Sequence, residues 1–269
     1  MTRPALNVSE RLTAPPVVAV STVIFALQPP VGQPTGADAS TGTSSLWLPL
    51  VRRTREPFRD AWALPGGPLA WDQSLDETAR STLHAATGLA PRYLEQLYTF
   101  GGTERSASDL RVVTVAYWAL IALANRTPLS PIENVAWFPA DSLPLLAFDH
   151  ADIVTVAQNR LRAKAGYADV AVRFLGEEFT LSELRRVHDA VLGTRSDPAN
   201  FRRRMLGSGR LEPTGATRRE GPHRPARCYR FVEPAGSDLL ERPAHELSDE
   251  PPGPSPDHSP TTDRKRDPA

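Results

Sequence analysis

The chain has 269 residues, 40% of them apolar, and its 31 basic and 31 acidic side chains cancel to a formal net charge of zero. That is enough apolar material for one large or two smaller packed domains, and it excludes a wholly disordered chain. The single cysteine, Cys228, excludes an internal disulfide and fits a reducing cytoplasm, and the lack of a Cys/His cluster excludes a structural zinc site.

Residues 1–14 are polar and read as a flexible N-terminus. Val17–Leu27 is rich in β-branched residues, too short to cross a membrane, and reads as the first strand. Residues 28–45 are dominated by Pro, Gly, Ser and Thr and read as a flexible loop. Leu46–Arg53 is the next strand and runs into a basic cluster of Arg52, Arg53, Arg55 and Arg59. Trp62-Ala-Leu-Pro-Gly-Gly67 then leads into a glycine turn. The helix after it starts at Ser74, with Glu77 completing a capping box. Leu75, Ala79, Leu83 and Ala86 give that helix one apolar face, and Gly88 suits a left-handed C-terminal cap. Tyr93–Gly101 and Arg111–Leu123 are strand-like, and Asn134–Phe138 is a short strand. A second helix opens at Phe148-Asp149-His150, with Asp149 as N-cap, and runs to about residue 165. These elements predict a first domain over 15–165, a mixed sheet sandwiched by helices.

Residues 166–232 read as a second domain, and charge sets them apart. Residues 151–232 carry 16 basic and 9 acidic groups, while the flanking segments are acidic. Such a module points to a nucleic-acid partner, although a solvated basic surface gives the same count. Thr180-Leu-Ser-Glu183 is another capping box, and Leu181, Leu184, Val187, Val191 and Leu192 line one face as far as Gly193. Asp197-Pro198 caps and starts a short helix through Leu206. Two short helices joined by a turn make a helix-turn-helix. Arg210–Thr214 and Ala226–Val232 can pair around a basic loop, which is a wing. Residues 233–269 are acidic, Pro-rich and almost without apolar side chains, and read as a disordered tail.

Helical geometry orders the second short helix. At about 100° per residue, Phe201, Met205 and Leu206 define a buried side near 60°, counted from Phe201. Asn200, Arg203 and Arg204 turn away from it. Arg202 falls on the buried flank and is expected to be partly structural or to reach phosphate by snorkelling. Arg203 and Asn200 are then placed to read guanine and adenine edges. Arg218, Arg219, Arg224 and Arg227 on the wing suit phosphate or a minor groove. Thr180 completes the expected DNA-contacting set.

The stretch Trp62–Leu89 resembles the Nudix box. Counted from Gly67, the box's frame fits without a gap, and Gly67, Leu83, Gly88 and Leu89 match it. Its metal-binding carboxylates do not: Gln73, Ser81, Thr82, Ala85 and Ala86 stand in the places of the first Glu, the Arg-Glu pair and the Glu-Glu pair. Asp76 and Glu77 remain, as helix-capping acids or, alternatively, metal ligands. A hard divalent cation needs oxygen ligands, preferably anionic, so no metal and no catalytic residue is expected. Together with Arg52–Phe58, Tyr93–Gly101, Ala147–Ile153, Glu178–Leu181, Asn200–Arg204, Leu211–Gly215 and Arg224–Phe231, the chain over about residues 15–232 resembles the Nudix-related transcriptional regulators of NAD metabolism.

The resemblance implies an α+β protein, with an N-terminal Nudix-like α/β/α sandwich and a C-terminal winged helix-turn-helix. It implies a repressor, homodimeric on a palindromic operator near NAD biosynthesis or salvage genes. It needs no cofactor, and its effector is ADP-ribose or another NAD-related nucleotide. Without a metal, guanidinium groups must neutralise a pyrophosphate, and Arg52, Arg53, Arg55, Arg59 and Arg111 are the available ones. Gly66 and Gly67 allow close backbone approach. Phe58 and Trp62 suit either stacking on adenine or core packing. An active Nudix pyrophosphatase fused to a DNA-binding module is the alternative.

Overall fold

A computed structural model describes residues 15–28, 35, 46–105, 111–121, 131–165, 168–219 and 225–232, all inside one compact unit, Met1–Pro234. The expected N-terminal arm, the acidic tail and nearly all of the 28–45 loop fall outside these residues. The first elements are β1 (Val17–Phe25), β2 (Trp47–Arg52), β3 (Trp62–Ala63), β4 (Gly66–Pro68), α1 (Leu75–Thr87), β5 (Tyr93–Phe100), β6 (Val112–Leu120), β7 (Val135–Pro139) and α2 (His150–Ala165). One sheet has the order β4-β1-β6-β5; β1 and β6 run parallel and the other pairs antiparallel. A second, antiparallel sheet has the order β3-β2-β7.

The two central strands are buried on both faces, and their side chains alternate between two helices. Val20, Ile24 and Ala26 pack with Val115, Tyr117, Ala119 and Ile121 in the clusters that hold Ala79 and Leu83 of α1. Val23 and Phe25 pack with Ala116, Trp118 and Leu120 in the cluster that holds Ile153, Ala157 and Leu161 of α2. A period of two along a strand sends neighbours to opposite faces, so an uninterrupted apolar run marks a strand covered on both sides. Each fully buried Leu, Ile or Phe contributes about 1.5–3 kcal/mol of hydrophobic stabilisation.

The caps of α1 follow the sequence. Ser74 Oγ accepts from the Glu77 N–H at 3.2 Å, the Glu77 carboxylate accepts from the Ser74 N–H at 2.7 Å, and Gly88 closes the helix at φ 70°. At the start of α2 the cap differs from expectation. Asp149 gives its carbonyl to the Asp152 and Ile153 N–H groups, but its carboxylate turns to the Arg105 guanidinium at 2.9 Å. Glu95 of β5 meets Arg160 at 2.8 Å and also Lys164, tying the far half of α2 to the sheet. Burial pushes the Glu95 carboxyl up, but the Lys164 and Tyr93 hydrogen bonds and the two cations outweigh it and hold it below its ordinary value.

Beyond α2 come α3 (Ala168–Val172), β8 (Phe179–Thr180), α4 (Leu181–Leu192), α5 (Pro198–Gly207), β9 (Leu211–Arg218) and β10 (Ala226–Phe231). The last three strands form a sheet with β10 between β8 and β9, which is the wing expected from the pairing of its two long strands. α3 and β8 escaped sequence analysis because they are too short to show a period. The core does not stop at residue 165: Ile153 and Leu161 of α2, Val170 and Ala171 of α3, Phe174, Leu184 and Val187 of α4, and Phe201 and Met205 of α5 belong to one continuous cluster. Among the described residues no helix is long and apolar enough to cross a membrane.

Candidate functional site

The polar groups of α1 are engaged within the helix. Gln73 Oε1 accepts from Thr78 Oγ1 at 3.2 Å; Ser81 and Thr82 donate to the carbonyls of Thr78 and Ala79, each at 3.0 Å. Glu77 serves the N-cap, and Asp76 pairs with Arg80 at 2.7 Å. Among the described residues no three His, Cys, Asp or Glu side chains gather in a metal-like group.

The basic loop after β2 folds around an aromatic pair. Arg53 donates to the Pro57 carbonyl at 2.8 Å and lays its guanidinium 4.7 Å from the centroid of the Phe148 ring. Phe58 meets Phe148 edge-on, centroids 4.8 Å apart, while 41% of Phe58 stays exposed. Both hold left-handed backbone, φ 63° and 55°. For non-glycine residues this costs on the order of 1–3 kcal/mol each, and such strain collects at ligand sites. Arg52 pairs with Asp60 at 3.6 Å and Arg59 with Glu56 at 3.7 Å; Arg55 is exposed. Arg111 donates to the Gly101 carbonyl at 2.6 Å.

Two expected effector residues have other work. Trp62 is half-buried and packs edge-on against Phe138 at 5.0 Å, the core-packing alternative. A Cβ on Gly66 would stand 2.3 Å from the Val20 carbonyl oxygen, so that glycine serves the close approach of β4 to β1 rather than a ligand. Gly67 has open space around the same position.

Sequence analysis missed Arg105 and assigned Phe148 and His150 only to a helix start. The Arg105 side chain is 5% exposed, donates to the Phe100 carbonyl at 3.1 Å and pairs with Asp149. His150 is buried, and its Nδ1 accepts from the Leu64 N–H at 3.0 Å, so the ring's proton sits on Nε2. Burial first, then the charges of Arg105 and Arg53, push its pKa down to about 3. Phe148 and His150 lie in the Ala147–Ile153 stretch that carries the family resemblance, and that was the signal available for them. Arg105, alone in a polar stretch, carried none.

In the winged helix, Asn200, Arg202, Arg203 and Arg204 of α5 are all exposed. Arg203 donates to Asn200 Oδ1 at 2.8 Å, joining the two expected base readers. The flanks of α5 are exchanged relative to expectation. Leu206 is partly exposed, so the buried arc centres between Phe201 and Met205, at about 20° rather than 60°. Arg202 and Arg204, both exposed, then flank that arc about equally, and α4 decides between them: the Arg204 guanidinium lies 2.9 Å from His188 Nε2 and 5.6 Å from the Phe201 centroid. Thr180 is a further correction. It is 0% exposed and spends its hydroxyl on the Glu183 N–H as N-cap of α4, so it offers DNA no side chain. Arg218 forks onto Glu183 at 2.8 and 2.9 Å and reaches the Glu178 carbonyl, which ties the wing to α4. Burial raises the Glu183 carboxyl, but the Thr180 and Arg218 hydrogen bonds prevail and hold it low. Arg219 and Arg227 are exposed, and Arg224 lies outside the described residues.

A mixed-sheet sandwich with a capped helix behind a Gly-Gly turn, continued by two helices and a basic wing, defines a Nudix domain joined to a winged-helix DNA-binding domain. Family models match accordingly: the NUDIX domain over residues 41–158 and the NrtR DNA-binding winged helix domain over 171–231. The "ADPR responsive transcriptional repressor NtrR" of Acinetobacter baylyi is 36% identical over 198 residues, 72% of this chain and 78% of that protein. The crystal structure of Shewanella oneidensis NrtR complexed with a 27mer DNA is 33% identical with a TM-score of 0.62, covering 80% of this chain and 93% of that one. An ADP-ribose pyrophosphatase of Methanocaldococcus jannaschii is 25% identical over 105 residues, 39% of this chain and 62% of that protein. The chain belongs to the NrtR family of Nudix-domain transcriptional regulators.

Proposed function

We propose that this protein is a DNA-binding repressor whose Nudix domain senses ADP-ribose or a related NAD nucleotide and releases DNA when occupied. The observation that carries the reading is one chain in which a winged helix with exposed Asn200, Arg202, Arg203 and Arg204 shares a core with a Nudix scaffold. The described relative from Acinetobacter, an ADPR-responsive repressor, supports the same function. Positions 82, 85 and 86 offer no anionic oxygen, and Glu77 and Asp76 are taken by the N-cap and Arg80, so the donor set does not fit a hard divalent cation. The domain therefore binds without hydrolysing and uses no cofactor. Arg53 and Phe58, which gather at Phe148, with Arg55 and Arg59 of the same loop, are the residues we assign to the effector, together with Gly67, whose backbone has open space beside it. The chain works in the cytoplasm as a homodimer on a palindromic operator near NAD biosynthesis or salvage genes.

A hundredfold loss of DNA affinity needs about 2.7 kcal/mol of coupling between the two sites. An operator gel shift titrated with ADP-ribose and with NAD tests the reading; DNA retained at saturating amounts of both overturns it. A second reading, an active pyrophosphatase, is favoured by the likeness to the Methanocaldococcus enzyme. Robust metal-dependent release of AMP from ADP-ribose would establish it and remove the non-hydrolysing sensor.

A further inference from the structure

His188 of α4 is 6% exposed and touches the recognition helix at two points. Its Nε2 lies 2.9 Å from the Arg204 guanidinium, and its ring packs edge-on against Phe201, centroids 5.3 Å apart. Arg204 also rests against the Phe201 ring, so its head is held on two sides. A guanidinium only donates, so the contact requires a lone pair on Nε2 and the ring's proton on Nδ1. That Nδ1 is buried and has no hydrogen-bond partner. The Asp189 carboxylate is 3.8 Å away, and its Oδ1 already accepts from the Ser196 N–H and hydroxyl at 3.0 and 2.5 Å. A buried donor left unpaired is costly and calls for a reason. The reason available here is the other nitrogen.

We propose that His188 is a positioning residue for DNA binding: its neutral ring pins Arg204 at the α4–α5 junction, so that a DNA phosphate meets a guanidinium already in place. The inference rests on the winged helix being the DNA-binding module. Arg204 sits on the flank of α5 nearest α4, while Asn200 and Arg203, bonded to each other, occupy its outer face. Phosphate contacts set the register of a protein on DNA and base contacts set its sequence. Ordering a long side chain before binding removes a cost otherwise met in the complex. Among the described residues, the charges acting on His188 are Arg204 from α5 and Asp189 from its own helix; α2, α3, β8 and β10, also packed on α4, contribute none. Burial, then Arg204, favours the neutral ring, and Asp189 opposes them.

The test uses the full chain and a mixed-sequence DNA duplex at low salt, because phosphate contacts need no operator. His188→Ala is expected to weaken binding roughly twofold to tenfold. His188→Gln, which keeps an acceptor, should recover most of that. Arg204→Ala should weaken binding and lower the slope of log affinity against log salt by about one. With Arg204 already replaced, His188→Ala should have no further effect. Wild-type binding should also fall more steeply than that of His188→Gln once pH drops below the ordinary imidazole value of about 6.5, where the ring protonates and repels the guanidinium. Additive losses in the double variant, no rescue by His188→Gln, or parallel pH profiles would each overturn the proposal. Wild-type protein that does not bind the duplex at all would instead overturn the DNA-binding reading.

Discussion

The acid sensitivity of the Nudix domain should be traceable to His150. Unfolded, this imidazole titrates at its ordinary 6.5; folded, it resists protonation down to about 3. The unfolded chain therefore binds a proton that the native one refuses, and stability is lost as pH falls from 6.5 toward 3. Each pH unit in that window removes about 1.4 kcal/mol, so at pH 4.5 the loss from this residue alone is roughly 2.7 kcal/mol. For a domain this size that is a fall in Tm of about 5–11 °C. His150→Asn is the matching control: its amide oxygen takes the place of Nδ1 as acceptor for the Leu64 N–H and does not titrate. Denaturant unfolding of both proteins from about pH 7.5 to 4.5 separates His150 from the carboxylates, which the two share. Wild type should lose stability faster below pH 6.5. Equal slopes would refute the argument, because the buried neutral ring would then not be what the acid acts on.

Gly66 and Gly67 should part company on substitution. Gly66→Ala drives a methyl into the Val20 carbonyl and should cost about 1–3 kcal/mol by thermal melt, while Gly67→Ala should be nearly silent in stability. An equal Tm for the two would contradict the packing between β4 and β1. Thr180→Ala should lower stability by about 0.5–2 kcal/mol through the lost N-cap, with DNA affinity per folded molecule unchanged in a titration corrected for active fraction. Arg203→Ala should relax preference at one base position by about 1–3 kcal/mol in a competition against operator variants. An unchanged preference would show that Arg203 does not face a base.

The long elements were legible because burial on two faces and on one helix stripe leaves a periodic trace. Val17–Phe25 carries such a trace, Leu75–Thr87 and Leu181–Leu192 combine one with a cap, and the structure has all three within a residue or two. What was not legible depends on contacts between distant segments. The angular placement on α5 counted Leu206 as buried and so put Arg202 on the covered flank; without it the helix alone does not separate Arg202 from Arg204, and only α4 decides which side of α5 is covered. Thr180 was expected among the DNA-contacting residues, yet its pairing opposite Cys228 on β10 seals it from solvent. Gly66 belonged to a glycine pair whose members are alike in sequence, and it takes the position of β1 to tell them apart. Arg105 and His150 meet only because Arg105 pairs with Asp149 across a separation of 44 positions in the chain.

The continuity of the core past residue 165 bears on how an effector can act. A winged helix strung on a flexible linker would unfold independently of its neighbour and could swing without disturbing it. Here Leu161 of α2, Val170 of α3, and Leu184 and Val187 of α4 share one buried cluster with Trp118 of the sheet. Separating the two halves would expose these side chains at about 1.5–3 kcal/mol each. Free swinging is therefore too costly, and an effector has to act by shifting a packed junction or the pairing of two chains. The same argument fixes the unfolding behaviour. Calorimetry of the full chain should give a single transition with equal calorimetric and van't Hoff enthalpies per cooperative unit. Leu161→Ala should lower that one transition, by about 2–5 kcal/mol of stability, and not split it. Two resolved transitions in the wild type, with only one moved by Leu161→Ala, would mean that the shared cluster does not couple the halves, and an effector could then act by releasing the winged helix outright.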